Sequence, residues 1–577
     1  MVPLVWEHLP FDPAQAAALA DALRIHPLVA RLLCLRGLAD IDQAARFLAP
    51  SLDQLRDPFG LADMAPAVDR LLAAVAARER IAVHGDYDVD GITSTVILRR
   101  TLEMLGADVI HFIPDRIRDG YDLQVPAVER LAAEGAAVIV SVDCGTRGVE
   151  AARRARALGV DLIITDHHEP DSVLPDALAV INPRRPDCTY PEKDLAGVGV
   201  ALKLVQGLCL RTGHGPWVPG FVKMAAIGTL ADVVPLVGEN RVIAKIGLEM
   251  LSRGPHKVGL RSLLEASGLA GRTVSSYQVA FVLAPRVNAA GRMSTPDIAM
   301  RLLLASDEAL ADEARELAGQ LNSENLRRQQ EEQQILAQAR RIVETDPDVG
   351  ARSVLVVAGE GWHRGVIGIV ASKLVDAFYR PAIVLSIEDG VVHGSCRSVP
   401  AFDMLGALEQ CGRWLTRFGG HRQAAGLTLT PDHVRPFREA VTVWADAVLG
   451  PDDLRPRLRI DAPLPLGGIT GDLVGQIGRL EPFGPGNPRP IFHADRVQIV
   501  DGPRRLKDRH LKMAVRQGSR TFRAIAWRAA DREAFYQQHR GAVDLAFSLV
   551  QSEYNGEASV ELTVADAKEP SALDDGP

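Results

Sequence analysis

Between residues 81 and 165 the apolar positions come in short β-branched runs separated by helical stretches. The runs are IAVH (81–84), DVIHFI (108–113), AVIVSV (137–142) and DLIIT (161–165), with helices predicted over 92–105 and 149–158. Runs that are apolar on nearly every position predict strands buried on both faces, hence a parallel sheet with helices on each side. This α/β core is expected over 52–305, behind a helical segment at 1–51. Residues 306–349 then carry a long helical pattern without proline whose middle is polar all round, which suits a helix linking two domains. A second α/β unit is predicted over 350–450, with the runs SVLVVA, AIVLSI, VVHGSCR and AAGLTL and a helix over 366–378. From 455 to 570 the pattern changes to short strands (RLRID, RVQIV, LKMAV, FRAIAW, VDLAFSLV, SVELTV), which predict a small β-barrel. The tail ALDDGP is acidic and expected to fray.

At 577 residues the chain is too long for one hydrophobic core. Composition is that of a soluble globular protein, 47% hydrophobic and 24% charged. No apolar run reaches the ~18 residues a membrane span needs, and the first residues lack a secretory signal pattern. The six cysteines (Cys34, Cys144, Cys188, Cys209, Cys396, Cys411) show no metal-ligand spacing and read as reduced thiols of a cytoplasmic protein. Net charge is −8, but residues 504–532 hold ten Arg and Lys against only Asp508 and Asp531. That basic stretch includes Lys512, Arg523 and Arg528 and is interleaved with Phe522 and Trp527. Basic strands with aromatics on a barrel suit a groove that tracks a single nucleic-acid strand; Trp527 fits the barrel core equally well.

The acidic and imidazole groups fall at strand ends. IAVH leads into His84-Gly85-Asp86-Tyr87-Asp88-Val89-Asp90-Gly91, VIVSV into Asp143-Cys144-Gly145, and LIIT into Asp166-His167-His168. Asp232 closes the apolar helix MAAIGTLAD. Carboxyl ends of parallel strands converge on the crevice where ligands bind. One aspartate after a strand is often a helix N-cap, but three such ends in register are not explained that way. Carboxylates this close repel one another, so protons or cations must compensate them. Asp and His without Cys point to Mn²⁺, or to Mg²⁺ with fewer imidazole ligands. About seven donors suit two ions rather than one, sharing a carboxylate and clamping an in-line phosphoryl displacement.

These four motifs resemble those of the DHH phosphoesterase superfamily. Further stretches resemble its RecJ branch: RGLADIDQAARFLAPSL, PDRIRDGY, INPRRPDC, LAGVGVALKL, APRVNAAGRM, GWHRGVIGIVASKL, HGSCRS, FGGHRQAAGLTL and LEPFGPGNPRPIF, in the family's order from about residue 25 to 565. The resemblance implies an α/β protein: a DHH-type parallel-sheet core and a second α/β (DHHA1) domain, joined by the long helix across a cleft, with a C-terminal OB-fold. It implies 5′→3′ hydrolysis of single-stranded DNA to 5′-mononucleotides with two Mn²⁺ or Mg²⁺ ions, in recombination and repair. The implied partners are single-stranded DNA with a free 5′ end, a single-strand binding protein and a RecQ-type helicase; no membrane is implied, and the chain is expected as a monomer.

Carried over by motif, the metal ligands are His84, Asp88, Asp90, Asp143, His167 and Asp232, with Asp143 bridging, His84 ligating or just behind, and Asp86 outside the ligand set. His168 is expected at the scissile phosphate or the attacking water, and His421, beside two glycines, at the transition state. Arg116, Arg286, Asn288, Ser395, Arg397 and His421 are expected on DNA phosphates, since the arginine fork binds phosphate bidentately. Asp122 stands where a glycine is expected after Gly120-Tyr121, which would weaken phosphate contact. Rival readings are an oligoribonuclease or nucleotide-bisphosphate phosphatase of the same superfamily, a catalytically inactive scaffold, and a plain single-strand DNA-binding protein. The first group is much shorter and lacks a barrel, and the last two leave the strand-end acids without a purpose.

Overall fold

The apolar runs form one parallel sheet in the computed structural model, which describes residues 4–116, 118–120, 122–554 and 557–570. Ile117 and Tyr121 of the PDRIRDGY stretch, and the acidic tail, lie outside the described residues. The strands are β1 (Arg80–Gly85), β2 (Asp108–Phe112), β3 (Ala136–Val142), β4 (Asp161–Thr165) and β5 (Ala179–Ile181), in the spatial order 2-1-3-4-5. Ile81, Val83, Val138, Val140 and Ile163 are fully shielded from solvent. Each branched side chain so placed contributes about 1.5–3 kcal/mol of burial free energy, which fixes register and strand ends together.

Helices α1 (Val89–Met104) and α2 (Gly197–Arg211) pack on this sheet and on each other, and α3 (Val222–Ala231) packs on both of them. The helix expected from 92 starts three residues earlier because Asp88 caps it, accepting from Asp90 N at 2.9 Å and Gly91 N at 3.1 Å. Further along, α4 (Ala284–Met293) is entered through one π-helical turn at Val279–Leu283.

Helix α5 (Ala311–Thr345) runs for 35 residues and packs against both α4 and α6 (Arg364–Phe378). Its polar middle is paired internally: Glu332, buried, takes Arg328 at 2.6 Å and also pairs with Lys373. The second sheet holds β6 (Leu355–Glu360), β7 (Ala382–Glu388), β8 (Val391–Arg397), β9 (Arg417–His421) and β10 (Ala424–Leu429) in the order 9-10-8-7-6. Only the β6–β7 pair is parallel, and β9 is an exposed edge strand.

All of this lies in one compact unit of the chain; residues 4–55, 235–245 and 457 onward form another. In the latter, β11 (Ala462–Pro463), β12 (Phe492–Leu506), β13 (His510–Gln517), β14 (Arg520–Ala526), β15 (Val543–Tyr554) and β16 (Glu557–Lys568) run in the order 11-12-13-14-16-15. β15 pairs back onto β12, closing the barrel. The run RLRI, expected as a barrel strand, instead pairs in parallel with a strand at Val5–His8. The N-terminal segment is therefore not purely helical, and its helices share one apolar core with the barrel, Leu32 and Phe47 packing with Phe492 and Phe547. Arg241, 2% exposed, pins this unit by donating to the carbonyls of Phe47 and Leu480, each at 2.9 Å. Among the described residues no helix is long and apolar enough to cross a membrane.

Candidate active site

The carboxyl ends of β1, β3 and β4 converge as the sequence pattern requires. Asp143 follows β3 in a left-handed backbone conformation, φ 61°, which costs a non-glycine residue energy and marks a functional position. Asp232 terminates α3, its N–H donating to Gly228 O at 2.9 Å. Ligand atoms lie within 4.8 Å of one another in three groups here: Asp86, Asp88 and Asp143; Asp143, His167 and His168; and Asp90, His167 and Asp232. Asp143 thus belongs to an all-carboxylate group and to an imidazole-containing one, the position of a shared ligand.

Two glycines make the approach possible. A Cβ at Gly197 would lie 2.3 Å from Asp143 Oδ1, and one at Gly228 would lie 2.3 Å from Thr93 Oγ1 and 2.8 Å from Asp90 Oδ1. Through this closeness the first N–H groups of α2 reach Asp90, Gly197 N at 2.7 Å and Val198 N at 2.8 Å.

Electrostatically the site is unbalanced. Burial and then the charge of Asp88 raise Asp90 to about 7 despite those two N–H bonds. Burial and neighbouring carboxylates push Asp86, Asp143 and Asp232 well above the usual carboxylate range. Burial, then the charge of His168, lowers His167 to about 3, leaving a neutral imidazole. Its Nε2 lies 3.2 Å from Asp143 Oδ1 and 3.6 Å from Asp232 Oδ2. His167 Nε2, Asp143 Oδ1 and Asp86 Oδ1 are buried and have no hydrogen bond within the chain. Convergent, unpaired donor atoms of this kind fit a cation.

Two carboxylates that sequence reasoning gave no constructive role hold the frame. Asp166 accepts from Thr146 N (2.9 Å), His167 N (2.7 Å) and His168 Nδ1 (2.8 Å). Burial alone would raise it; the hydrogen bond and charge of His168 hold it below the ordinary range. Burial opposes the charged form of His168 too, but the bond and charge of Asp166 outweigh this and raise it to about 9. Asp122 has φ 69°, the reason a glycine is expected there. Its carboxylate accepts from Gly145 N at 2.6 Å and Leu123 N at 2.8 Å, so it braces the turn after Asp143.

His84 does not join the three groups. It is 1% exposed, with Nδ1 3.4 Å from Cys144 Sγ and its ring 5.6 Å from that of Phe112, and burial lowers it to about 4. Its Nδ1 faces Cys144, while its Nε2 is buried and has no hydrogen bond within the chain, which suits a place just behind the three groups. Asp86, expected outside the ligand set, is among the converging groups.

Opposite these strand ends, a cavity of about 460 Å³ is lined by Tyr87 and Arg116 from one side and by Arg364, His393, Ser395 and Arg417 from the other. The N-terminal turn of α6 opens onto it with Gly365 and Gly368. Arg397 lies next to the lining, its Nη1 3.4 Å from Ser395 Oγ. Cationic and polar side chains together with a helix N-terminus give this hollow the chemistry of an anion site. His421 lies at the exposed end of β9, and burial, then the charges of Arg147 and His168, lower it. Arg364, Arg417 and His393 were not singled out from sequence, although WHRG carries the first, the second directly precedes FGGH and the third opens HGSCRS.

Two residues expected on phosphates also make bonds inside the fold. Arg286 donates to Asn322 Oδ1 at 3.1 Å and Val282 O at 2.5 Å, tying α4 to α5. Asn288 Oδ1 accepts from Val89 N at 3.1 Å, holding the first turn of α1. These bonds hold Arg286 Nε and Nη1 and Asn288 Oδ1 within the fold. On the barrel, Lys512, Arg523, Arg528 and Trp527 are exposed, whereas Phe522 is buried in the core.

Comparison with known proteins agrees with this geometry. Residues 80–229 match the DHH family, N-terminal domain, residues 351–447 the DHHA1 domain, and residues 460–566 the RecJ OB domain. The single-stranded-DNA-specific exonuclease RecJ of Bacillus subtilis (strain 168) is 38% identical over 568 residues, covering 97% of this chain and 70% of that protein. The chain belongs to the RecJ family of single-stranded-DNA-specific exonucleases. The crystal structure of RecJ in complex with Mn²⁺ from Thermus thermophilus matches with a TM-score of 0.83 at 33% identity, over 99% of this chain and 80% of that one. The RecJ complex with Mg²⁺ from the same organism gives 0.78 at 32%, over 99% and 79%. RecJ membership bears out the resemblance carried by the motifs. It likewise bears out the expected fold class, with its DHH core, DHHA1 domain and OB barrel.

Proposed function

We propose that the protein is a 5′→3′ exonuclease that hydrolyses single-stranded DNA to 5′-mononucleotides at the crevice between the two α/β sheets. The observation that carries this reading is the convergence of Asp143 Oδ1 and His167 Nε2, buried and unpaired, beside a cationic hollow. Relatives named as single-stranded-DNA-specific exonucleases support the substrate class, and structures of RecJ with Mn²⁺ and with Mg²⁺ support the metal.

Asp88, Asp90, Asp143, His167 and Asp232, with Asp86 beside them, would hold two such ions. When bound, two ions activate water and neutralise charge on an in-line phosphoryl transfer. The chain's own contribution is positional and electrostatic. Neutral His167 keeps a lone pair available at neutral pH. His168, held charged by Asp166, donates to a non-bridging phosphate oxygen as charge develops there. His421 meets that phosphate from the other sheet. Arg116, Arg364, Arg417, Ser395 and Arg397, with the N-terminus of α6, anchor the terminal 5′ phosphate and so set polarity. Lys512, Arg523, Arg528 and Trp527 track the following nucleotides through charge and stacking. We extend this reading to a monomer working beside single-strand binding protein and a RecQ-type helicase in recombination and repair.

The test is cleavage of end-labelled DNA with Mn²⁺, using single strands with and without a 5′ phosphate and a duplex control. Labelled mononucleotide released first from the 5′ end, with duplex spared, is the expected result. Activity confined to oligomers of a few nucleotides would move the protein to the oligoribonuclease branch and overturn the proposal.

A further inference from the structure

One cluster of metal-ligating side chains lies apart from the catalytic groups, on the barrel. His493 and Asp495 stand two positions apart on β12, so their side chains leave the same face of the strand. The ladder between β12 and β15 is regular as far as Ala494↔Leu545 and then shifts register. At the shift Arg496 takes a left-handed φ of 51°, and its N–H donates to Asp544 Oδ1 at 2.9 Å. The irregularity brings the carboxylate of Asp544, 3% exposed, beside the other two residues. Ligand atoms of His493, Asp495 and Asp544 lie within 4.8 Å of one another. His493 Nε2 is 2.9 Å from Asp495 Oδ1, yet this buried nitrogen makes no hydrogen bond within the chain. The two atoms approach without the alignment of donor and acceptor, as ligands to a common ion do.

A fourth group comes from the N-terminal strand. His8 ends Val5–His8, and its ring lies 5.5 Å from that of His493, centroid to centroid. Trp6 meets the same imidazole edge-on at 5.0 Å, and its indole N–H is fixed on Asp566 Oδ2 at 2.7 Å. The indole is thereby fixed, and it packs the imidazole of His493 on one side. None of these residues belongs to the catalytic groups or to the basic strands of the barrel.

We propose that His493, Asp495 and Asp544, with His8 as fourth ligand, bind one divalent transition-metal ion, Zn²⁺ in preference to Mn²⁺ or Mg²⁺. Two imidazoles and two carboxylates form a borderline donor set, which favours Zn²⁺ in four-coordination over the harder, oxygen-seeking Mg²⁺. The ion ties the N-terminal strand to β12 and β15, reinforcing the ring packing of Trp6 and His8 on His493. Its role is structural, since a site with four protein ligands leaves no open position for a substrate.

The experiment titrates the metal-free full-length protein with Zn²⁺ by calorimetry and with Co²⁺ by visible absorption. The catalytic groups also take these metals, so wild type is compared with Asp143→Ala, His493→Ala and Asp495→Asn. The tetrahedral Co²⁺ band is expected in wild type and Asp143→Ala and lost in His493→Ala, which binds one Zn²⁺ fewer. Asp495→Asn is expected to weaken that one equivalent by at least about tenfold while keeping Mn²⁺-dependent nuclease activity. Asp495 is 65% exposed, so this variant folds whether or not His493→Ala does. A Zn²⁺ isotherm for Asp495→Asn that matches wild type in number and affinity overturns the proposal.

Discussion

His167 Nε2 lies 3.2 Å from Asp143 Oδ1, and neither atom has a hydrogen bond within the chain. His167 is neutral because burial and the charge of His168 depress it, and Asp143 is crowded by carboxylates that raise it. A neutral imidazole and a repelled carboxylate this close store unfavourable energy that cation binding relieves.

Metal removal should therefore make stability depend on pH. The folded chain holds protons on Asp86, Asp90, Asp143 and Asp232 that the unfolded chain releases near the ordinary value of about 3.9. At these four groups the folded state binds more protons, so their contribution to stability falls as pH rises from about 4 through about 7, the value reached by Asp90. Mn²⁺ needs these groups deprotonated, so the increase in Tm on adding it should be larger at about pH 7.5 than at about pH 5.5. Melting curves in chelator and in Mn²⁺ check this; an increment independent of pH would contradict it.

Asp166 acts through His168 and His167. Asp166→Asn keeps the shape and removes the charge that holds His168 protonated. Activity should fall by about 10–100-fold, and the alkaline limb of the kcat profile should move to lower pH. A uniform loss with an unchanged pH profile would show that the residue only supports the fold.

Asp122 offers a case where two effects oppose. Glycine would relieve the left-handed backbone at φ 69° but would delete the acceptor for Gly145 N and Leu123 N. A hydrogen bond to a charged group contributes about 1.5–3 kcal/mol, against about 1 kcal/mol of backbone relief. Asp122→Gly should therefore be destabilised by roughly 1 kcal/mol, with Asp122→Asn close to wild type in denaturant unfolding. A stabilised glycine variant would contradict the bracing role.

Trp527, 53% exposed beside His510, offers its ring for stacking on a base. Trp527→Ala should weaken binding of long single strands by about 1–3 kcal/mol and leave dinucleotide cleavage and barrel stability unchanged. Arg523→Ala with Arg528→Ala should flatten the salt dependence of the same binding. Equal loss on both substrate lengths would remove the barrel from the groove.

What could be read from sequence divides along physical lines. Strand ends such as Val142-Asp143 and Thr165-Asp166 are legible because uninterrupted apolar runs must be buried and must stop where polar groups begin. Long-range pairings are not: nothing in RLRI announces Val5–His8 as its partner, since parallel pairing depends on the rest of the fold. The internal duties of Asp166, Asp122 and Asn288 were hidden for a related reason. A short polar side chain looks alike in sequence whether it meets a ligand or a distant backbone N–H. His84 stays ambiguous in sequence because whether its ring joins the neighbouring carboxylates or packs behind them depends on a rotamer that only the fold decides.

The central claim is that the crevice around Asp143 performs hydrolysis and that binding of the strand is carried by other groups. Asp143→Ala measured for Mn²⁺-dependent release of 5′ mononucleotide and, in parallel, for equilibrium binding of single-stranded DNA tests it most directly. Cleavage should fall to background with binding no weaker than wild type, since one repelling carboxylate is gone. Retained cleavage, or binding lost in step with cleavage, would contradict it.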